Sequence, residues 1–334
     1  MMWPLPKLQL TRSLQRIAVL TSGGDAPGMN AAVRAVVRTA LERQIEVFGI
    51  QKGYSGLVNG KLDPMDRSSV ANILHRGGTV LKTDRSEEFR RPAVRQRVAE
   101  DLRARGIEAL VVIGGDGSFA GAHLLQQETG ITVIGVPGTI DNDVYGTDET
   151  IGFDTAVNTA LEAIDRIRDT ATSHERVFLV EVMGRSAGFI AASVGIAGGA
   201  EIVLLPNSPL QFEDICATLR ESEQRGKFSS LIVVAESDDH NRTPALTKAL
   251  NDQGFQARAA ILGHIQRGGS PSGHDRVLAS VLGSTAVDHL LAGYSDMMLG
   301  VHGGAIVRVP FADILSNKKT MPDDYIELAK VLAT

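Results

Sequence analysis

Ala109-Leu-Val-Val-Ile113 is a continuous apolar run. It ends in Gly114-Gly115-Asp116-Gly117-Ser118, and Phe119 to Leu125 then reads as a helix. A run without alternation suits a strand covered on both faces, the habit of parallel sheets. Parallel strands need crossover connections, usually helices. The unit recurs along the chain. Strand-like runs lie at Arg16–Thr21, Val47–Ile50, Thr132–Val136, Val177–Val182, Ile202–Leu205 and Leu231–Ala235. Helical patterns lie near Asn30–Arg43, Pro92–Arg105, Thr155–Arg168, Ser186–Ile196 and Phe212–Gln224. The expected fold is therefore α/β, with two similar Rossmann-like lobes of mostly parallel sheet and helices on both faces. Ligands are expected at the carboxyl ends of the strands. The length of 334 residues accommodates two lobes, with a boundary expected near residue 150.

Charge and cysteine usage narrow the function. The formal net charge is −5, so global electrostatics favour neither nucleic acid nor an anionic membrane, and neither is an expected partner. Aromatic residues make up 4%, too few for stacked-base recognition. Cys216 is the only cysteine, which fits a reducing cytoplasm and excludes an intrachain disulfide framework. No apolar stretch reaches the ~18 residues of a spanning helix. Met1 to Gln15 lack the apolar region of a signal peptide and read as a short extension.

The glycine turns carry the chemistry. Glycines between a strand and a helix let backbone N–H groups approach an anion, and a helix N-terminus favours negative charge. Asp116 in such a turn would repel a bare phosphate. It makes sense with Mg²⁺ between its carboxylate and the phosphate oxygens. A second unit, Thr21-Ser-Gly-Gly-Asp-Ala-Pro-Gly-Met-Asn30, places Gly23 and Gly24 similarly, with Pro27 expected early in the helix. Neither turn is a P-loop. Pro137-Gly-Thr-Ile-Asp-Asn-Asp143 follows another strand, and Asp141 or Asp143 is placed to act as the base that phosphoryl transfer to an alcohol needs. Arg176, Arg185, Arg258 and the run His264 to Gly269 supply donors suited to phosphate.

Two other readings compete. Gly184-Arg-Ser-Ala-Gly188 fits the G-x-S-x-G nucleophile elbow, with Asp238 or Asp239 and His264 or His289 following in hydrolase order. That reading leaves the glycine-aspartate turns unexplained. A non-catalytic sugar-phosphate-binding module has no need of Asp116 and Asp141 together.

Assembled, these residues resemble the bacterial 6-phosphofructokinases. The resemblance runs from about Arg16 to near the C-terminus. It rests on LTSGGDAPGMNAA from Leu20, ALVVIGGDGS from Ala109, PGTIDND from Pro137, VEVMGR from Val180 and LGHIQRGGSP from Leu262. It implies transfer of the ATP γ-phosphoryl group to O1 of fructose 6-phosphate, the committed step of glycolysis. It further implies that Asp141 is the base, with Thr139 and Arg185 beside it, and that Asp116 holds Mg²⁺. Gly24, Arg85, Ser86, Gly115, Gly117 and Ser118 then match ATP contacts. Thr139, Ile140, Met183, Gly184, Arg185, Glu236, His264, Ile265, Gln266 and Arg267 match sugar-phosphate contacts. Arg176 and Arg258 match arginines that reach the phosphate from a neighbouring subunit, which implies a homotetramer.

The resemblance divides the chain into an extension (1–15), a larger ATP-binding lobe (16–150 and 265–315) and a smaller fructose 6-phosphate lobe (151–264 and 316–334). Arg34, Arg38, Arg67, Arg168, Glu201, Arg225 and Lys227 match an effector site between subunits, implying regulation by ADP and phosphoenolpyruvate. Relatives that use pyrophosphate carry aspartate at the position of Gly117 and lysine at that of Gly138. Two glycines here leave room for a nucleotide, so the expected donor is ATP.

Overall fold

The computed structural model describes residues 3–206 and 210–332. Of the sequence-based assignments, Met1 and Met2 of the extension, and residues 207–209, 333 and 334 of the smaller lobe, lie outside the described residues. The strands are β1 (Arg16–Thr21), β2 (Glu46–Ile50), β3 (Leu62–Met65), β4 (Ala109–Gly114), β5 (Thr132–Pro137) and β6 (Val177–Val182), then β7 (Ile202–Leu204), β8 (Ser230–Ala235), β9 (Ala257–Ile261), β10 (Met297–His302) and β11 (Ala305–Pro310). The helices are α1 (Met29–Glu42), α2 (Gly53–Val58), α3 (Pro92–Ala104), α4 (Asp116–Thr129), α5 (Phe153–His174) and α6 (Phe189–Ala197), then α7 (Phe212–Gln224), α8 (Arg242–Asp252), α9 (Gly273–Leu291), α10 (Phe311–Ser316) and α11 (Asp323–Leu332).

The chain forms two compact units. The first comprises Met1–Ile140, Val144–Asp154 and Arg267–Lys319; the second comprises Asp141–Asp143, Thr155–Gln266 and Thr320–Thr334. In the first unit, the described strands form one sheet in the order β11-β10-β5-β4-β1-β2-β3. Its five inner strands are parallel, and β3 and β11 close the edges antiparallel. Every residue of β4 and β5 is buried, as their apolar runs require. Ala18, Leu20, Leu110 and Val112 pack under Phe119, Leu125, Val98 and Leu102 on one face. By the two-residue period of a strand, Ile17, Val19, Val111 and Ile113 point to the other face, where α1 and α9 pack together.

The chain leaves β1 for β2 on one side and returns to β4 on the other, so the strand order reverses between β1 and β4. Loops at the carboxyl ends of such a pair splay apart and leave a crevice. Both glycine turns of the sequence emerge there.

In the second unit the described strands are all parallel, in the order β7-β8-β6-β9. Here the order reverses at β6, with β8 on one side and β9 on the other. Its core is built from Leu179, Ile202, Ile215, Leu219, Ile232 and Val234.

Three local expectations shift. α4 begins at Asp116 rather than Phe119, because Ser118 N and Phe119 N both donate to Gly115 O (2.9 and 3.1 Å). Pro27 stands in the turn ahead of α1 rather than inside it, since Gly28 is the residue preceding the helix, at φ 106°. α6 starts at Phe189 rather than Ser186, after Gly188 at φ 75°. Residues 273–310, not read as elements from sequence, form α9, β10 and β11.

Candidate active site

The two glycine turns of the first unit lie side by side because β1 and β4 are hydrogen-bonded neighbours. Ser22 N donates to Ile113 O (2.9 Å), tying the first turn to the end of β4. Gly115 precedes α4 and makes no side-chain cap, while Ser118 N in the first turn already donates to Gly115 O (2.9 Å). Asp116 and Gly117 are exposed there, while Ser118 is buried. A Cβ added at Gly117 would meet nothing within 4 Å. At Gly24 an added Cβ would fall 2.5 Å from Arg267 Nη1. Arg267 itself donates to Asp25 O (3.2 Å), so the structure groups it with the first glycine turn.

Arg85 is exposed, and its N–H bonds the Asp84 carboxylate (2.9 Å). Ser86 acts locally, its hydroxyl accepting from Phe89 N (3.3 Å) to start a single 3₁₀ turn.

The segment after β5 continues the same edge. Gly138 N donates to Gly114 O (2.9 Å), and Thr139 Cβ lies 3.8 Å from the position a Cβ would take on Gly115. Thr139 and Ile140 are buried. Gly138 departs from the expectation of open room, because an added Cβ would meet Ile113 Cγ2 at 3.0 Å and Met29 Cε at 3.2 Å. The space beside Gly138 is filled by protein. Of these two positions, Gly117 is the one that leaves volume for a ligand.

In the second unit, three strands deliver the polar residues from their carboxyl ends. β6 ends in Met183-Gly184-Arg185, β8 in Glu236, and β9 leads to His264, Ile265 and Gln266. Asp141 is 1% exposed, and Arg185 Nε lies 3.3 Å from its Oδ2. Arg185 N also donates to Glu236 Oε2 (3.3 Å). Gln266, fully buried, accepts from Met183 N (2.8 Å) and donates to Ala156 O (3.2 Å), locking the ends of β6 and β9 together. Arg185 has φ 48° and Asn142 φ 52°, both in the left-handed region. Non-glycine residues held there cost about 1–3 kcal/mol each and cluster at functional sites.

His264 and Ile265 are exposed. Arg258 is exposed on β9, an edge strand, and Arg176 sits just ahead of β6. Among the described residues no histidine hydrogen-bonds Ser186, so the nucleophile-elbow reading has no base.

The basic residues matched to an effector site fall into two groups. In the first unit, Arg34 and Arg38 stand one turn apart on α1, and Arg67 pairs with Glu42 (2.9 Å) one turn further on. Burial, and then the Arg38 charge, lower the Arg34 pKa. Two cations placed against each other favour an anion. In the second unit, Arg168 donates to Gly198 O and Gly199 O, and Arg225 pairs with Glu221 (3.6 Å). Lys227 pairs with one oxygen of Glu201, and the other accepts from Leu231 N (2.5 Å).

No cluster of three or more His, Cys, Asp or Glu side chains suited to a metal occurs among the described residues. Asp116 alone still fits Mg²⁺, which is ordinarily held by one or two carboxylates plus substrate phosphates and water.

Several supporting residues escaped the sequence reading. Tyr54 is buried in α2, stacked on Phe89 at 4.3 Å, and its hydroxyl donates to Ser118 O (2.5 Å). Burial raises the phenol pKa, so it stays a neutral donor. Asp275, fully buried in the first turn of α9, accepts from Gly152 N (2.8 Å). Thr150 donates to Thr139 O (2.7 Å). For Asp275 a signal existed, as Ser272-Gly-His-Asp275 is a helix-start pattern, and the Ser272 hydroxyl does accept from Asp275 N (3.1 Å).

Comparison with known proteins follows the same lines. A family model described as Phosphofructokinase matches residues 16–290. The ATP-dependent 6-phosphofructokinase 1 of Thermus thermophilus is 53% identical over 321 residues, covering 96% of this chain and 100% of that protein. The ATP-dependent 6-phosphofructokinase of Clostridium novyi is 52% identical with the same coverage. A solved phosphofructokinase from Saccharomyces cerevisiae superposes with a TM-score of 0.85 at 35% identity, over 96% of this chain and 48% of that one. This chain thus spans about half the length of the yeast chain. A solved pyrophosphate-dependent phosphofructokinase from Marinobacter aquaeolei superposes with a TM-score of 0.83 at 25% identity, over 96% of this chain and 92% of the other. The fold is therefore shared by proteins named for either donor.

Proposed function

The chain belongs to the phosphofructokinase family, and we propose that it transfers the γ-phosphoryl group of ATP to O1 of fructose 6-phosphate, giving fructose 1,6-bisphosphate and ADP. The observation that carries this reading is Asp141, a carboxylate 1% exposed, held by Arg185 at 3.3 Å and next to a backbone position of positive φ. A buried carboxylate kept on a strained loop is costly unless it serves a function.

Asp141 accepts the proton of the sugar 1-hydroxyl, and Arg185 holds the carboxylate in place. Thr139 and Ile140 lead the chain to it from β5. The first-turn N–H groups of α4 take phosphate oxygens, and the glycines at Gly24, Gly115 and Gly117 let the nucleotide come close. Mg²⁺, held by Asp116, would neutralise charge on the phosphate oxygens. His264, Ile265, Gln266, Arg267, Met183, Gly184 and Glu236 bind the sugar phosphate, and Arg85, Ser86 and Ser118 bind ATP. Arg176 and Arg258 serve a neighbouring subunit of a homotetramer, which the exposure of Arg258 on an edge strand supports. The two arginine groups bind anionic effectors, ADP and phosphoenolpyruvate. The enzyme works in the cytoplasm, as its single, buried cysteine supports.

Replacing the base tests the reading. Asp141→Ser is expected to lower kcat by about 10²–10⁴-fold, the usual share of a general base, with half-saturation by either substrate little changed. Turnover near the wild-type rate would remove Asp141 from this role.

A further inference from the structure

The extension ahead of β1 lies before the part of the chain that the family model matches, and the structure gives it a definite course. Trp3 is buried, with its ring edge-on to His274 at 5.5 Å and 69°. His274 is the second residue of α9. Eight residues later, Thr11 N and Arg12 N both donate to Leu291 O (3.0 and 2.8 Å), at the last residue of α9. From His274 to Leu291 a helix rises about 26 Å. An extended segment from Trp3 to Thr11 covers about the same length. The extension therefore runs the whole length of α9 in extended form, fastened at both ends. Between the fastenings, residues 4–10 are exposed or half-exposed, and Trp3 is the buried anchor.

The anchor lies at one end of a chain of contacts, all inside the first unit. His274 Nε2 donates to Glu149 Oε2 (2.5 Å). The next residue, Thr150, donates to Thr139 O (2.7 Å). Ile151 and the Pro137–Thr139 backbone exchange hydrogen bonds, Thr139 N to Ile151 O (3.1 Å) and Ile151 N to Pro137 O (2.9 Å). Gly152 N donates to Asp275, beside His274 on the same helix turn. Two neighbouring residues of α9 thus hold the 149–152 segment, and that segment holds Thr139.

We propose that Trp3 is a positioning residue, and that the extension is a strap which seats it on His274, keeps His274 on Glu149 and so fixes the loop carrying Thr139. The strap's effect on turnover rests on the functional reading given above, whereas its effect on the loop does not.

The test follows the loop directly. Hydrogen exchange is measured at the amides of Thr139, Ile151 and Gly152 in the full chain, its Trp3→Ala and Trp3→Phe variants, and Glu149→Gln. Trp3→Ala is expected to speed exchange at these amides about tenfold, Trp3→Phe to return it to within about threefold of wild type, and Glu149→Gln to reproduce the Trp3→Ala pattern with the indole still buried. As Trp3 is the only tryptophan, its emission reports its seating without interference. A blue-shifted emission shielded from acrylamide is expected. In Trp3→Ala, kcat is expected to fall roughly 3–10-fold, with half-saturation by ATP unchanged and kcat restored by Trp3→Phe. Emission typical of water-exposed indole, or wild-type exchange in Trp3→Ala, would overturn the proposal. Faster exchange in Trp3→Ala, from a wild-type protein that phosphorylates no sugar, would uphold the strap and strike only the functional reading.

Discussion

At the scale of single residues, the proposed preference for ATP rests on one missing side chain. Gly117 and Gly138 look equivalent in sequence, and the family resemblance leads to the expectation that both leave room for a nucleotide. The structure separates them. The volume beside Gly138 is occupied by Ile113 and Met29, whereas the volume beside Gly117 is open. An aspartate at 117 would therefore cost the protein little and a nucleotide much. Two like charges about 4 Å apart repel by about 4 kcal/mol at an effective dielectric near 20. Gly117→Asp is accordingly expected to lower kcat/KM for ATP by about 10²–10³-fold while leaving the melting temperature within a few degrees of wild type. Steady-state kinetics beside a thermal melt reads both. A loss of ATP turnover below about threefold would show that this position does not face the donor.

At the scale of elements, α9 does the most structural work and was the least legible. Its buried residues include Leu278, Ala279, Leu282, Ala286, Val287 and Leu290, on several sides of the helix, so no single apolar stripe announces it. β3 was missed for a related reason: Leu62-Asp-Pro-Met65 has a proline and no apolar run, as an edge strand tolerates. β1, β4, β5, β6 and β8 were legible because both their faces are covered, which writes an uninterrupted apolar run into the sequence. Asp116, Asp141 and Arg185 were legible through the glycines and turns around them. Tyr54 and Asp275 support the site through backbone contacts distant in sequence, which no local pattern records. Helix α9 also carries a buried titratable group. His289 is 2% exposed, Nδ1 to Thr285 O at 2.8 Å, with Arg308 and Asp288 nearby. Burial foremost lowers its pKa in the folded state, outweighing the carbonyl hydrogen bond and Asp288, which act to raise it. The unfolded chain then binds the proton more readily, so stability is full above about pH 6.5 and declines as the pH falls below it. The melting temperature is expected to drop from pH 7 to pH 5 by more in the wild type than in His289→Gln. Parallel profiles for the two proteins would show that His289 contributes nothing to acid sensitivity.

At the scale of the whole molecule, two sheets built on one principle present different sets of residues at their carboxyl ends. Each reverses its strand order at a central strand, and each presents its polar loops from the carboxyl ends around that reversal. In the first unit those loops are glycine turns with backbone donors and Asp116. In the second they carry Arg185, Glu236 and the His264–Gln266 segment, with Asp141 grouped among them. One set suits a polyphosphate and the other a phosphorylated sugar, which is the division of labour that phosphoryl transfer requires. The most direct measurement is a coupled assay of phosphorylation of fructose 6-phosphate with ATP or with pyrophosphate as donor, at equal Mg²⁺. The account predicts turnover of roughly 1–100 s⁻¹ with ATP, and a kcat/KM for pyrophosphate well below that for ATP. Comparable kcat/KM for the two donors, or no product with ATP, would contradict it.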